Sequence, residues 1–240
     1  MRINNEPIAK FGATKLTFEM QPAQDAVAVE WIDKAVAPTP GTTTVTFGTA
    51  KAVLYFRGPD RSKIIQNMAQ LLALLTSEAI LKVPGIRGEY VGYLKTSNIA
   101  QVQRSKTRQK LTLEFRGYLR GEMQRQQFQG VTEAQLKRVG ARPTPVILTI
   151  SPEVDMDSFT IEGLTEDPIV ISNLSAAVSV TIDGRDGTAW ERGVSKGADV
   201  DLWEPPALRD SVAALKFSRG DALVTVDYWP VWLRSEEHNV

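Results

Sequence analysis

The sequence predicts an α+β domain with one main helix, followed by an all-β antiparallel sandwich: two patterns of apolar residues predict the elements, and a charge asymmetry suggests the two domains. Apolar residues recur at three- and four-residue steps over one long stretch, about Arg61 to Glu78, which is the period of a helix. From Pro145 to Leu233 they recur in short alternating runs parted by turn residues, the pattern of strands. Charge divides along the same line: residues 1–125 hold 18 Lys and Arg against 10 Asp and Glu, a net +8, and residues 126–240 carry the opposite −8. Between the halves, Gly130 to Pro145 contains Gly130, Gly140, Pro143 and Pro145 and no strand-length apolar run, so it reads as a linker. The expected domains are 1–142, including that linker from about residue 130, and 143–240.

In the first half, Ile3, Ile8 and Phe11 lead into Leu16, Phe18 and Met20 at period two, a half-buried strand. A short apolar piece, Val27 to Ile32, follows. Ala37 to Thr44 reads as a loop, because its prolines remove donors and its glycine relaxes φ. Val45 to Phe56 reads as one or two strands, broken by Gly58-Pro59-Asp60, where Asp60 or Ser62 is placed to cap a helix. The helix carries Ile64, Ile65, Met68, Leu71, Leu72 and Leu75 on one stripe. Ala69, Ala73 and Leu74 widen the stripe and predict a mostly buried helix. After Pro84-Gly85 and Tyr90 to Leu94, Leu111, Leu113 and Phe115 alternate with Thr112, Glu114 and Arg116, a strand with one wet face.

The second half repeats the strand pattern, as in Val146, Leu148, Ile150 and in Val224, Val226, Tyr228. Asp183-Gly184 and Asp186-Gly187 flank Arg185 as turns. Arg219-Gly220-Asp221 is expected to join the last two strands as a hairpin. Pro205-Pro206 cannot sit inside a central strand, so Glu204 to Asp210 reads as a crossing loop.

Several function classes fall away. The chain has no cysteine, which excludes disulfide scaffolds, zinc-thiolate sites and thiol nucleophiles. Its one histidine, His238, sits in Glu-Glu-His-Asn, an unpromising place for a catalytic triad or a multi-histidine metal site. The apolar run from Met68 to Leu75 is far too short to span a bilayer, so no membrane insertion is expected. Met1 to Lys10 lacks the apolar core of a secretory signal, which points to assembly in the cytoplasm. Asp155/Asp157, Glu166/Asp167 and Asp183/Asp186 read as turn formers rather than as a glycosidase pair or calcium ligands. No catalytic residue, metal or cofactor is expected, and the protein is read as a non-enzyme.

Two sets of residues are candidate contacts. Gln103 to Lys110 carries Arg104, Lys106, Arg108 and Lys110 with no acid and no apolar residue, and an extended backbone puts all four on one face. Such cations suit phosphate contacts, but no aromatic residue interleaves them for base stacking. A hairpin arm that meets a neighbouring subunit or an acidic partner is the favoured reading. Trp190, Trp203, Trp229 and Trp232 lie in the second half. Sealing a core or interface is their favoured role, and stacking on a sugar, through Trp190, Trp203 and Trp229, is the alternative.

The order and spacing of these motifs resemble the distal tail proteins of long non-contractile-tailed phages over nearly the whole chain. The likeness rests on the strand-Phe-Gly-strand opening of Ile3 to Met20 with Trp31 after it, on Phe56-Arg57-Gly58-Pro59-Asp60-Arg61 before the helix, and on Leu111 to Tyr118. In the second half it rests on Val180-Thr181-Ile182-Asp183-Gly184, on Asp201-Leu202-Trp203-Glu204-Pro205-Pro206-Ala207-Leu208, and on Tyr228-Trp229-Pro230-Val231-Trp232-Leu233. Where the family commonly has a Pro-Gly turn, this chain has Arg209-Asp210-Ser211. The resemblance implies a ring-forming, β-rich first domain with one main helix and a galectin-like second domain. It implies a structural virion component in a ring, usually a homohexamer, at the tail tip. Such a ring connects the tail tube to the tape-measure protein, the tail hub and the baseplate or receptor-binding proteins, and DNA only passes through its lumen. The rival reading is a carbohydrate-binding accessory module for cell-surface glycans.

Overall fold

The computed structural model describes residues 1–21, 25–30, 39–45, 47–101 and 105–232, with backbone alone for 25–30, 39–45 and 101. Trp31, Arg104 and His238 lie outside the described residues. One unit comprises Met1–Arg120 together with Trp232, and a second comprises Gly121–Val231, so the division comes earlier than residue 142.

The first unit contains β1 (Arg2–Ile3), β2 (Glu6–Pro7), β3 (Ala13–Gln21), β4 (Asp25–Glu30), β5 (Thr39–Val45), β6 (Gly48–Arg57), α1 (Arg61–Ala73), β7 (Ala79–Lys82), β8 (Glu89–Gln101) and β9 (Arg108–Arg120). An antiparallel sheet runs in the order β2-β1-β7-β8-β9-β6-β3. Its buried face carries Leu54, Phe56, Leu111, Leu113 and Phe115, packed against Ile64, Met68, Leu71 and Leu75. The capping prediction resolves to Asp60, whose Oδ1 accepts from the Lys63 amide at 2.8 Å. The helix is less buried than its composition suggests: Ile65 is 50% exposed, and Ala69 and Ala73 are exposed. It also stops at Ala73 rather than Glu78. Leu74 and Leu75 donate to Leu71 and Leu72, a tighter i→i+3 turn, and the Thr76 hydroxyl donates to the Ala73 carbonyl at 3.2 Å.

Two local departures have backbone causes. Leu16, expected to point inward with Phe18 and Met20, is 47% exposed because the β3–β6 register shifts between Lys15 and Thr17, as at a bulge. Thr39–Val45, expected to be loop up to Thr44, pairs with β4 instead. Its run of β-branched threonines suits an extended backbone, and its proline sits where that register shifts, between Val27 and Val29.

One row of this sheet is nearly bare of side chains. Ala79 pairs with Gly92, Gly92 with Gly117 and Gly117 with Gly48. A Cβ at Gly117 would lie 2.0 Å from the Val91 carbonyl oxygen, and one at Gly92 would lie 2.4 Å from that of Arg116. Beside the row, the buried Tyr90 hydroxyl donates to the Gly48 carbonyl at 3.0 Å, and burial pushes its pKa well above the ordinary phenol value.

The second unit is a sandwich of two antiparallel sheets, built from β10 (Gln124–Phe128), β11 (Glu133–Lys137), β12 (Thr144–Pro152), β13 (Met156–Glu162), β14 (Ile169–Leu174), β15 (Val180–Asp183), β16 (Thr188–Glu191), β17 (Val194–Ser195), β18 (Val200–Asp201), β19 (Ala207–Leu208), β20 (Val212–Phe217) and β21 (Ala222–Tyr228). One sheet has the order β10-β21-β12-β15-β16-β17 with β19 beside β12, and the other has the order β11-β20-β13-β14-β18. Leu148, Ile182 and Val226 from one sheet share a core with Phe159, Ile171 and Phe217 from the other, and the rings of Phe159 and Phe217 stack at 6.3 Å.

Two expectations change in this unit. The linker is not one: β11 lies inside Gly130 to Pro145 and pairs along its length with β20, burying Leu136. Arg219-Gly220-Asp221 does not close a hairpin, because β20 and β21 belong to opposite sheets. It is an arch from one sheet to the other, alongside the matching crossing from β10 to β11. The Gly130 amide donates to the Gly220 carbonyl at 3.1 Å and ties the two crossings together. Turn residues alone do not distinguish an arch from a hairpin.

The proline loop is firmly held. Leu202 packs against the core. Glu204 accepts from the Glu166 amide at 2.6 Å and from Arg209 Nη1 and Nη2 at 2.7 and 2.6 Å. The Arg209 guanidinium, with the Glu166 amide, holds the Glu204 carboxyl at about 2 instead of 4.5. A carboxyl lowered in the fold adds stability above its ordinary value and loses it as the pH falls through the lowered one.

Two predictions follow from this packing. Gly117→Ala should cost about 2 kcal/mol or more through forced backbone movement, whereas Gly197→Ala, whose Cβ would meet only Ser195 Oγ at 3.7 Å, should stay within about 0.5 kcal/mol; urea denaturation of both variants measures the difference. The protection factor of the Glu166 amide, its exchange rate taken relative to that of an unstructured amide at the same pH, should hold steady down to about pH 4.5 and fall as the pH approaches 2, and Glu204→Gln should abolish that pH dependence.

Candidate interaction surfaces

Alternation along β9 sends Gln109, Leu111 and Leu113 inward and leaves Arg108 and Lys110 exposed on the other face. The register adds what the sequence did not reveal: Arg57 stands opposite Arg108, and Tyr55 opposite Lys110. Lys106 is exposed in the turn before β9, and Arg104 lies outside the described residues. The Gly58 amide donates to the Thr107 carbonyl at 3.2 Å, pinning this tip to the end of β6. Among the described residues, Arg57, Lys106, Arg108 and Lys110 have no ion-pair partner. Like charges directly opposite across a strand pair are unfavourable, so this face carries an electrostatic cost that an acidic surface would relieve. Along the chain, the stretch Met1–Arg120 holds 17 Lys and Arg against 9 Asp and Glu, while Gly121–Val231 holds 10 against 17.

The tryptophans separate clearly. Trp190 is 45% exposed, but its indole N–H donates to Thr188 Oγ1 at 3.0 Å, and that hydroxyl donates to Asp186 at 2.7 Å. Trp229 is half-buried, with the Arg185 guanidinium 5.9 Å from its ring centre. Trp232 is also half-buried. Trp203, expected to seal a core or interface, is 80% exposed and so lies outside the core. It borders a shallow groove of about 400 Å³ together with Asp167, Pro168, Val170 and Asp201, at the place where Val170 of β14 pairs with Asp201 of β18.

The other acidic pairs are engaged in local structure. Asp155 accepts from the Ala176 amide at 2.7 Å, Asp186 accepts from the Thr188 amide at 3.0 Å, and Asp183 is held below the ordinary carboxylate range mainly by its hydrogen bond from Arg185. Among the described residues, no group of three or more His, Cys, Asp or Glu side chains is placed to hold a metal ion, and no helix is long and apolar enough to cross a membrane. A second groove, of about 790 Å³, opens in the first unit and includes Arg2, Lys15 and Lys82 beside Ile8 and Val83.

No family model matches this sequence, and no curated protein matches it. Solved structures do match. The SPP1 Dit protein, described as a paradigm of the hub adsorption apparatus in Gram-positive infecting phages, superposes with a TM-score of 0.73 at 10% identity, over 96% of this chain and 98% of its own. A chain of the phage P2 baseplate in its activated conformation with Ca matches at TM-score 0.55 and 10% identity, over 92% of this chain and 91% of its own. The corresponding form with Sr matches at TM-score 0.54 and 9% identity, with the same coverage. The resemblance read from the sequence is borne out in the fold: across almost its whole length, this chain has the fold of the SPP1 Dit protein.

Proposed function

We propose that this protein is a structural component of a phage tail tip, a distal tail protein whose copies close into a ring of six that connects the tail tube to the hub. The observation that carries this reading is the end-to-end match to the SPP1 Dit protein, 96% of one chain on 98% of the other, since a shared module alone would cover only part of each. The tail tube, tape-measure and hub proteins are its proposed neighbours, with a receptor-binding protein outside the ring and DNA in transit through its lumen. Its place is the virion tail tip, with assembly in the host cytoplasm and no catalytic step.

Head-to-tail contacts that close by rotation give rings, and such contacts join two different surfaces of the same chain. The cationic face of Arg57, Arg108 and Lys110, with Lys106 in the turn before β9, is the proposed half of one such contact, or of the contact with an acidic neighbour in the tail; Arg104, expected to join it, lies outside the described residues. Its charges have no partner of their own among the described residues, and complementary charge mainly sets orientation and association rate.

Light scattering coupled to size exclusion tests the ring directly. The expected native mass is near six times 26.5 kDa, and a monomeric mass at every concentration contradicts the reading. In the same measurement, the double reversal Arg108→Glu with Lys110→Glu should weaken assembly by roughly tenfold or more, while a melting temperature close to the parent's shows that the exposed face was changed without loss of the fold.

A further inference from the structure

Single exposed apolar residues are ordinary on protein surfaces, so the exposure of Trp203 means little by itself. What sets this residue apart is the rigidity around it. Leu202, before it, is packed on the sandwich core. Glu204, after it, is fixed by the Glu166 amide and both terminal nitrogens of Arg209. Pro205 and Pro206 restrict the next backbone angles. The Pro206 carbonyl then accepts from the Val146 amide at 3.1 Å, and the Ala207 amide donates to the Leu164 carbonyl at 3.0 Å. The chain on both sides is tied inward while the indole stays 80% exposed. A loop held this firmly presents the ring in one place, which is the preorganisation a binding site needs.

The groove beside the indole narrows the chemistry. It offers an aromatic ring, the apolar Pro168 and Val170, and two carboxylates, Asp167 and Asp201, with no cationic side chain in its lining. Neither carboxylate nor the Trp203 indole N–H has a hydrogen-bond or ion-pair partner among the described residues. A pyranose matches this set: its C–H face covers an indole, and its hydroxyls donate to carboxylate oxygens. Two carboxylates without a balancing cation disfavour uronic acids and phosphate-bearing polymers.

We propose that Trp203, Asp167 and Asp201 form a subsite for a neutral hexopyranose unit of a glycan, with Trp203 as the stacking platform and the carboxylates as hydroxyl acceptors. The site lies within one chain and does not depend on ring formation. If the chains do form a ring, weak single sites are multiplied by simultaneous engagement of a polymer.

The test uses the full chain and saturation-transfer NMR with maltotriose, β-1,4-galactobiose and the chitin trimer as neutral probes, and with trigalacturonate, poly(glycerol phosphate) and choline as charged ones. Saturable binding of a neutral probe is expected, weakened by roughly tenfold or more in Trp203→Ala, reduced in Asp201→Asn, and unchanged in Trp190→Ala. Trp203 is exposed, so Trp203→Ala should melt like the parent. Absence of binding by all three neutral probes overturns the proposal, as does neutral-probe binding that Trp203→Ala leaves intact. Trp203-dependent binding of choline alone also overturns it and assigns the groove to cations. Because the readout is per chain, a failed ring and a failed subsite are distinguished.

Discussion

The contact on which the first unit depends is the approach of β8 to β9 at Gly92 and Gly117, where a single added Cβ would lie 2.0 Å from a carbonyl oxygen. Strand side chains alternate with period two, so a slip of one residue between these strands would turn Leu111, Leu113 and Phe115 outward and bring Arg108 and Lys110 into the core. The glycine row makes one register the close-packed one. That register places Tyr90 to donate to Gly48, fits the helix stripe onto the sheet, and sets Arg57 against Arg108. The cationic face is thus a consequence of backbone fit several residues away.

The second unit solves a different problem. Its two sheets share one apolar core, so its loops can be fixed at their bases and free at their tips. Arches at Gly130 and Gly220 link the sheets, and the buried Tyr228 hydroxyl accepts from the Val139 amide at 3.0 Å, holding the segment that follows β11. The proline loop is held by Glu204 in the same manner, and it leaves the indole of Trp203 outward. Cations lie together on a sheet face of one unit, and an open aromatic groove lies on the other. Both are open surfaces rather than enclosed cavities.

Where the chemistry is local, the sequence was readable. Asp60 caps its helix through the adjacent turn, Asp183 and Asp186 shape the turn that joins β15 to β16, and the alternation around Leu113 and Val226 marks strands because each inward residue meets a core. What escaped depended on partners distant in the chain. Glu133–Lys137 has only one fully buried side chain, Leu136, so it looked like linker until β20 was beside it. Thr39–Val45 looked like loop because its threonines form a strand only with β4 available. Arg57 joined the cationic face through register, which no periodicity reveals. Trp203, read from its place before Pro205-Pro206 as sealing a core or interface, lies outside the core because the fold used its neighbours Leu202 and Glu204 as anchors.

The claim at the centre of this account is that copies of this chain close on themselves around an axis. Negative-stain electron microscopy of the purified protein, with two-dimensional class averages, tests closure itself. The account predicts discrete rings with six-fold rotational symmetry and an open centre. Averages that show only single unassembled particles or open-ended filaments would contradict it.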